Sequence, residues 1–80
     1  MTDNEIIEQL NTIFSKELKK PVSLTPATTA SEVDGWDSLT HTVLIDRTEK
    51  HFSVRFKLSE ITQFNKVGDM VACIQKRVNK

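Results

Sequence analysis

Apolar residues recur at helical spacing in three long stretches of the chain and one short one. In the first, Ile6, Leu10, Ile13 and Phe14 share a face that Ile7 and Leu18 widen, which predicts an amphipathic helix over residues 3–19. Thr2-Asp3-Asn4-Glu5 reads as a capping box, with Thr2 as N-cap and Glu5 reaching back. Lys16, Lys19 and Lys20 gather near the far end, where positive charge complements the helix dipole, and Pro21 stops the helix. A second helix is predicted over residues 38–51, with Leu39, Thr42, Ile45 and Phe52 along one face, Leu44 flanking it and Thr48 near it. Phe52 to Phe56 alternates apolar and polar, a strand pattern. No partner strand is apparent, so the segment reads as an extended connector that turns Val54 and Phe56 inward. Leu58, Ile61 and Phe64 suit one short helix over residues 58–64. Val67, Met70, Val71, Ile74 and Val78 then form a clean stripe for a last helix, with Asn65 as its N-cap and Gly68 weakening its first turn slightly.

Between the first two long helices, Pro21 to Asp37 shows no period and reads as an ordered loop pinned to the core by Leu24 and Val33. A loop of that length in a small domain is often functional. It delivers Ser38 to the start of the second helix. Together the segments predict an all-α fold: a small four-helix bundle with three main helices, one short helix and the long loop.

The chain has 80 residues, enough for one domain spanning 1–80. Eleven basic side chains balance eleven acidic ones, which argues against nucleic acid as a partner and, with no basic recognition helix, against a helix-turn-helix DNA binder. There is no apolar run long enough to cross a bilayer, no signal-peptide pattern at the acidic N-terminus, and a lone cysteine, Cys73. A soluble, cytoplasmic protein that is monomeric is the default expectation. Cys73 is read as following the last helix, near its apolar stripe, as a small, semi-buried core residue. His41, His51 and Cys73 fall in different segments without ligand spacing, so no metal site is expected, and both histidines read as exposed helix positions.

Chemistry concentrates in Gly35-Trp36-Asp37-Ser38-Leu39. Read locally, a serine before a helix is a capping residue, and an acidic Asp37 suits a helix N-terminus. Unpaired N–H groups there also favour an anion, such as a phosphate linked to Ser38. Ser38 and His41 are three apart and could share a face, but the glycines of a nucleophile elbow are absent and the chain is small for a cleft, so self-contained catalysis is not expected.

With Asp37-Ser38-Leu39 set between a long loop and a helix, the chain resembles the acyl carrier protein family over roughly Ile6 to Val78. The resemblance implies that Ser38 carries a 4′-phosphopantetheine arm, placed there from coenzyme A by a phosphopantetheinyl transferase that Asp37 helps to engage, with Leu39 completing the site. It implies a non-catalytic carrier that holds acyl or aminoacyl groups as thioesters and presents them to acyl-loading and acyl-processing enzymes. The flexible arm raises the local concentration of cargo at each partner's active site.

Carriers of primary fatty acid synthesis usually show partners a strongly acidic second helix. Here Asp46 and Glu49 are mixed with Arg47, Lys50 and His41, and Val43 falls where the family often has an acidic residue. Val43, Asp46, Arg47 and Glu49 are therefore candidate partner contacts. Trp36 reads first as a packed loop residue and, two before Ser38, also as a candidate contact for arm, cargo or partner. The expectation is a specialised carrier with dedicated partners, and Thr42 and Thr48 near the inner face suggest short, polar or weakly sequestered cargo. The alternatives are a housekeeping carrier of fatty acid synthesis or an unmodified helical scaffold.

Overall fold

Thr2 caps the first helix as its sequence predicts: its hydroxyl accepts from the Glu5 N–H at 3.2 Å, while the Glu5 carboxylate accepts from the Thr2 N–H at 2.8 Å. The computed structural model describes residues 2–64 and 66–78. Among these the helices are α1 (Asp3–Leu18), α2 (Ser38–Phe52), the short α3 (Leu58–Thr62) and α4 (Val67–Val78), with one 3₁₀ turn at Ala30–Glu32. None of them is long and apolar enough to cross a membrane. The expected N-cap Asn65 lies outside the described residues.

Helix α1 packs against both α2 and α4. Ile6, Leu10 and Phe14 from α1, Leu44 and Thr48 from α2, and Val67, Met70 and Ile74 from α4 are fully buried. Each large apolar side chain so buried contributes about 1.5–3 kcal/mol relative to exposure. Thr48 is tolerated among them because its hydroxyl donates to the Leu44 carbonyl at 2.7 Å, leaving no unsatisfied polar atom.

The left-handed backbone of Lys19 (φ 58°) ends α1 at Leu18, one residue short of the expected end and ahead of Pro21. The loop then leans on polar side chains of α1. The Val22 N–H donates to Ser15 Oγ at 3.0 Å and the Leu24 N–H to Asn11 Oδ1 at 2.7 Å. Leu24 is buried and Val33 packs at the core edge, as predicted.

The same loop supplies carbonyls to the start of α4. The Val67 N–H donates to the Thr28 carbonyl at 2.8 Å and the Gly68 N–H to the Pro26 carbonyl at 2.9 Å, which satisfies two of the donors a helix start leaves open. Gly68 is thus more than a weak helix former. A Cβ at this position would lie 2.8 Å from the Pro26 oxygen, closer than real Cβ atoms come. Gly68→Ala is expected to lower stability by about 1–2 kcal/mol, read as a drop in the urea midpoint, although alanine is the better helix former. A midpoint equal to or above wild type would show that the loop yields freely.

Two faces differ from expectation. Leu39 is 77% exposed and Thr42 is exposed, its hydroxyl directed back to the Ser38 carbonyl, while Leu44, Ile45 and Thr48 face the core. The apolar row of α2 is therefore rotated away from the predicted Leu39–Thr42 line, because the core anchor at the helix start is Trp36 rather than Leu39. Leu58 is likewise 75% exposed, and α3 ends at Thr62 with only Ile61 and the following Phe64 turned toward the core. The connector behaves as predicted, with Phe56 buried and Val54 half-buried.

Glu60 ties α3 to α4. One carboxylate oxygen accepts from the Lys57 N–H and pairs with the Arg77 guanidinium, and the other accepts from Cys73 Sγ at 3.6 Å. Cys73 lies within α4, partly buried, rather than after the helix, and burial pushes its thiol pKa up. The Lys57 N–H first, and Arg77 next, lower the Glu60 pKa from 4.5 to about 2. A depressed carboxylate stabilises the fold above its unfolded pKa and loses that contribution as pH falls through the folded one. Stability carried by Glu60 is therefore complete above about pH 5 and disappears toward pH 2. Wild type should lose more stability than Glu60→Gln between those limits, as followed by thermal melts. Parallel acid profiles would refute the assignment.

Candidate functional site

The approach to α2 is built on Trp36. Gly35 takes a positive φ of 92°, a turn open to glycine at little cost, and this swings the indole inward. The ring is only 7% exposed and meets Phe14 edge-on, with centroids 4.9 Å apart. Its N–H donates to His41 Nδ1 at 3.0 Å, and the two rings stack at 5.9 Å. Packing is thus the main role of Trp36, and little of its surface is left for a partner.

Asp37 is the N-cap of α2. Its Oδ1 accepts from the Leu39 N–H at 3.0 Å and the Thr40 N–H at 2.9 Å. The Thr40 hydroxyl accepts from the Asp37 N–H at 2.8 Å and donates to the Gly35 carbonyl at 2.7 Å, so turn and cap lock together. The Thr40 N–H, more than any other group, holds the Asp37 carboxyl below its ordinary pKa, so it is ionised at neutral pH. Among the described residues its side-chain hydrogen bonds all fall on Oδ1, which leaves Oδ2 for an incoming group.

Because Asp37 caps, Ser38 does not. Ser38 occupies the first position of α2 with an exposed side chain. The local reading of Ser38 as a capping residue is therefore excluded by geometry. The same geometry weakens the anion argument, since two N–H groups of the first turn are already taken by the Asp37 carboxylate.

Beside Ser38 runs a groove of about 360 Å³ between the 3₁₀ turn, the start of α2 and α3. Trp36, His41, Ile61 and Phe64 form its walls. The sequence placed His41 on an exposed surface. The structure half-buries it in this wall, edge-on to Phe64 at 6.4 Å. The signal was its three-residue spacing from Ser38, but nothing local revealed that Trp36 would reach it. An indole nitrogen only donates, so Nδ1 of His41 is an unprotonated acceptor, and a neutral ring then carries its proton on Nε2. In that tautomer Nδ1 is occupied by the indole and Nε2 is a donor.

The other predicted contact residues spread along α2. Val43 is half-buried. Asp46 pairs with Lys50 at 3.2 Å, and Arg47 reaches across to Glu17 on α1 at 3.2 Å. Glu49 serves the fold: its Oε2 accepts from the Phe56 N–H at 2.8 Å and holds the connector. Leu39 remains the exposed apolar neighbour of Ser38. His51 is exposed, with Nε2 2.6 Å from Gln9 Oε1. No group of three or more metal-ligating side chains gathers among the described residues.

Residues 8–74 match the family model described as a phosphopantetheine attachment site. Two solved chains are similar to this one. One is the solution NMR structure of holo acyl carrier protein from Geobacter metallireducens. It is 32% identical, with a TM-score of 0.86, and the match covers 92% of this chain and 86% of that one. No curated protein sequence matches.

Proposed function

This chain belongs to the acyl carrier protein family, whose members bear 4′-phosphopantetheine, and on that premise we propose that the arm is carried on Ser38. The observation that carries this reading is the division of labour at the start of α2, where Asp37 caps the helix and leaves the Ser38 hydroxyl exposed. The residues fit the group: an exposed hydroxyl on a rigid helix, a free carboxylate oxygen beside it, and an adjoining groove.

On loading, Ser38 Oγ would form a bond to the pantetheine-side phosphorus of the coenzyme A diphosphate. The bond from that phosphorus to the nucleotide breaks, 3′,5′-ADP leaves, and the hydroxyl proton passes to the transferase. Asp37 presents Oδ2 to that enzyme or its metal. When bound, the arm supplies a terminal thiol that holds acyl groups as thioesters. Transferase and acyl-processing enzymes are the partners of such carriers generally, and nothing in the site indicates catalysis by the chain itself.

The surface beyond Ser38 combines exposed Leu39, Asp46 and Arg47 with half-buried Val43, its charges paired in ion pairs rather than set out as an acidic strip. That mixture supports a specialised carrier, a single domain with dedicated partners. Thr42 no longer bears on cargo, because it faces solvent. Buried Thr48 still supports short or polar cargo. The test is intact mass after incubation with coenzyme A, magnesium and a broad-specificity phosphopantetheinyl transferase, followed by loading trials. A single phosphopantetheine increment is expected. Elongation by a general fatty acid synthase at the rate of a housekeeping carrier would refute the specialised role.

A further inference from the structure

Once Ser38 is esterified, the side chains lining the groove keep one uncommitted hydrogen-bond donor. The Trp36 N–H is given to His41 Nδ1. The Thr62 hydroxyl donates to the Ser59 carbonyl at 3.1 Å. Asp37, ionised, only accepts. The remaining walls there, Ile61 and Phe64, are hydrocarbon. What is left is Nε2–H of His41, which has no partner among the described residues. Ser38 and His41 stand three apart on α2, where side chains are neighbours on one face.

We infer that His41 is a positioning residue for the arm: Trp36 holds its imidazole as the Nε2–H tautomer, and that N–H donates to an oxygen of the arm and directs it along the groove. The inference rests on Ser38 bearing the arm. The chemistry required of the ligand is an oxygen acceptor close to the attachment point. The phosphodiester and the first amide carbonyl of phosphopantetheine both qualify. The Trp36 contact matters because a free imidazole exchanges its proton between the two nitrogens, whereas a donor fixed on Nδ1 commits the other nitrogen to donation. The stack on Trp36 and the edge contact with Phe64 hold the ring plane, which limits the directions in which that N–H can donate.

The experiment uses the full chain labelled with ¹⁵N, in the unmodified form and after loading from coenzyme A, in mildly alkaline buffer. Intact mass reports the Ser38 reading independently of His41. The unmodified protein is expected to show the Nε2–H tautomer at His41. That signal should shift on loading, and Trp36→Phe should lose both the single tautomer and most of the shift. In His41→Phe, a displaced ³¹P resonance identifies the phosphodiester as the acceptor. An unchanged ³¹P resonance with displaced arm amide signals identifies the carbonyl. A full mass gain with His41 nitrogen signals identical before and after loading overturns the inference and leaves the attachment at Ser38 intact. Absence of any mass gain overturns the attachment itself.

Discussion

Ser38→Ala is expected to fold like the wild type and to accept no phosphopantetheine at all. The hydroxyl is the only group the substitution removes, and it caps nothing, because Asp37 Oδ1 holds the Leu39 and Thr40 N–H groups. Loss of an exposed side chain outside any such network changes stability by no more than about 0.5 kcal/mol. Asp37→Ala should invert the pattern. Its hydroxyl at Ser38 survives, so some loading persists, but α2 loses its cap and the melting temperature falls. Measuring mass gain and thermal unfolding on both variants separates attachment from capping. A phosphopantetheine increment on Ser38→Ala would move the site to another hydroxyl. A large stability loss in that variant would make Ser38 a structural residue after all.

The second large effect lies beneath the site. Phe14 is fully buried and forms the surface on which Trp36 rests. Phe14→Ala removes its transfer free energy and leaves a cavity, a loss of about 3–5 kcal/mol. For a domain of this size total stability is only about 4–12 kcal/mol, so the variant should sit close to unfolding at ambient temperature. Chemical denaturation followed by Trp36 fluorescence gives both numbers at once. The indole reports on the groove wall because it touches Phe14 on one side and His41 on the other. A loss below about 1 kcal/mol would mean that the core relaxes into the space, and that Trp36 is held by the loop rather than by α1.

Much of this architecture is legible in the chain itself. The capping box at Thr2 and Glu5 needs only local residues, and it forms as read. The stripe of α4 is regular enough that Val67, Met70, Val71 and Ile74 could face nothing but the core. The inward turn of Phe56 followed from simple alternation. Family membership was equally readable, because Asp37-Ser38-Leu39 between a long loop and a helix is a local pattern, and the match over residues 8–74 agrees with it.

What the chain alone did not reveal depends on contacts between segments far apart in sequence. Leu39, Thr42 and Ile45 satisfy a helical period, but of the three only Ile45 is buried, and Trp36, seated on Phe14 across twenty-two residues, takes the core position at the helix start. Gly68 looked like a weak first turn until the Pro26 carbonyl was found against it. Glu49 reads as a surface residue of α2, and nothing local shows that the connector places the Phe56 N–H on its carboxylate. His41 looked exposed until the indole of Trp36 reached it. Periodicity determines which residues share a face, since backbone geometry repeats locally. Which face is buried, and which polar atoms are spent, is determined only when distant segments compete for the same volume and the same hydrogen bonds.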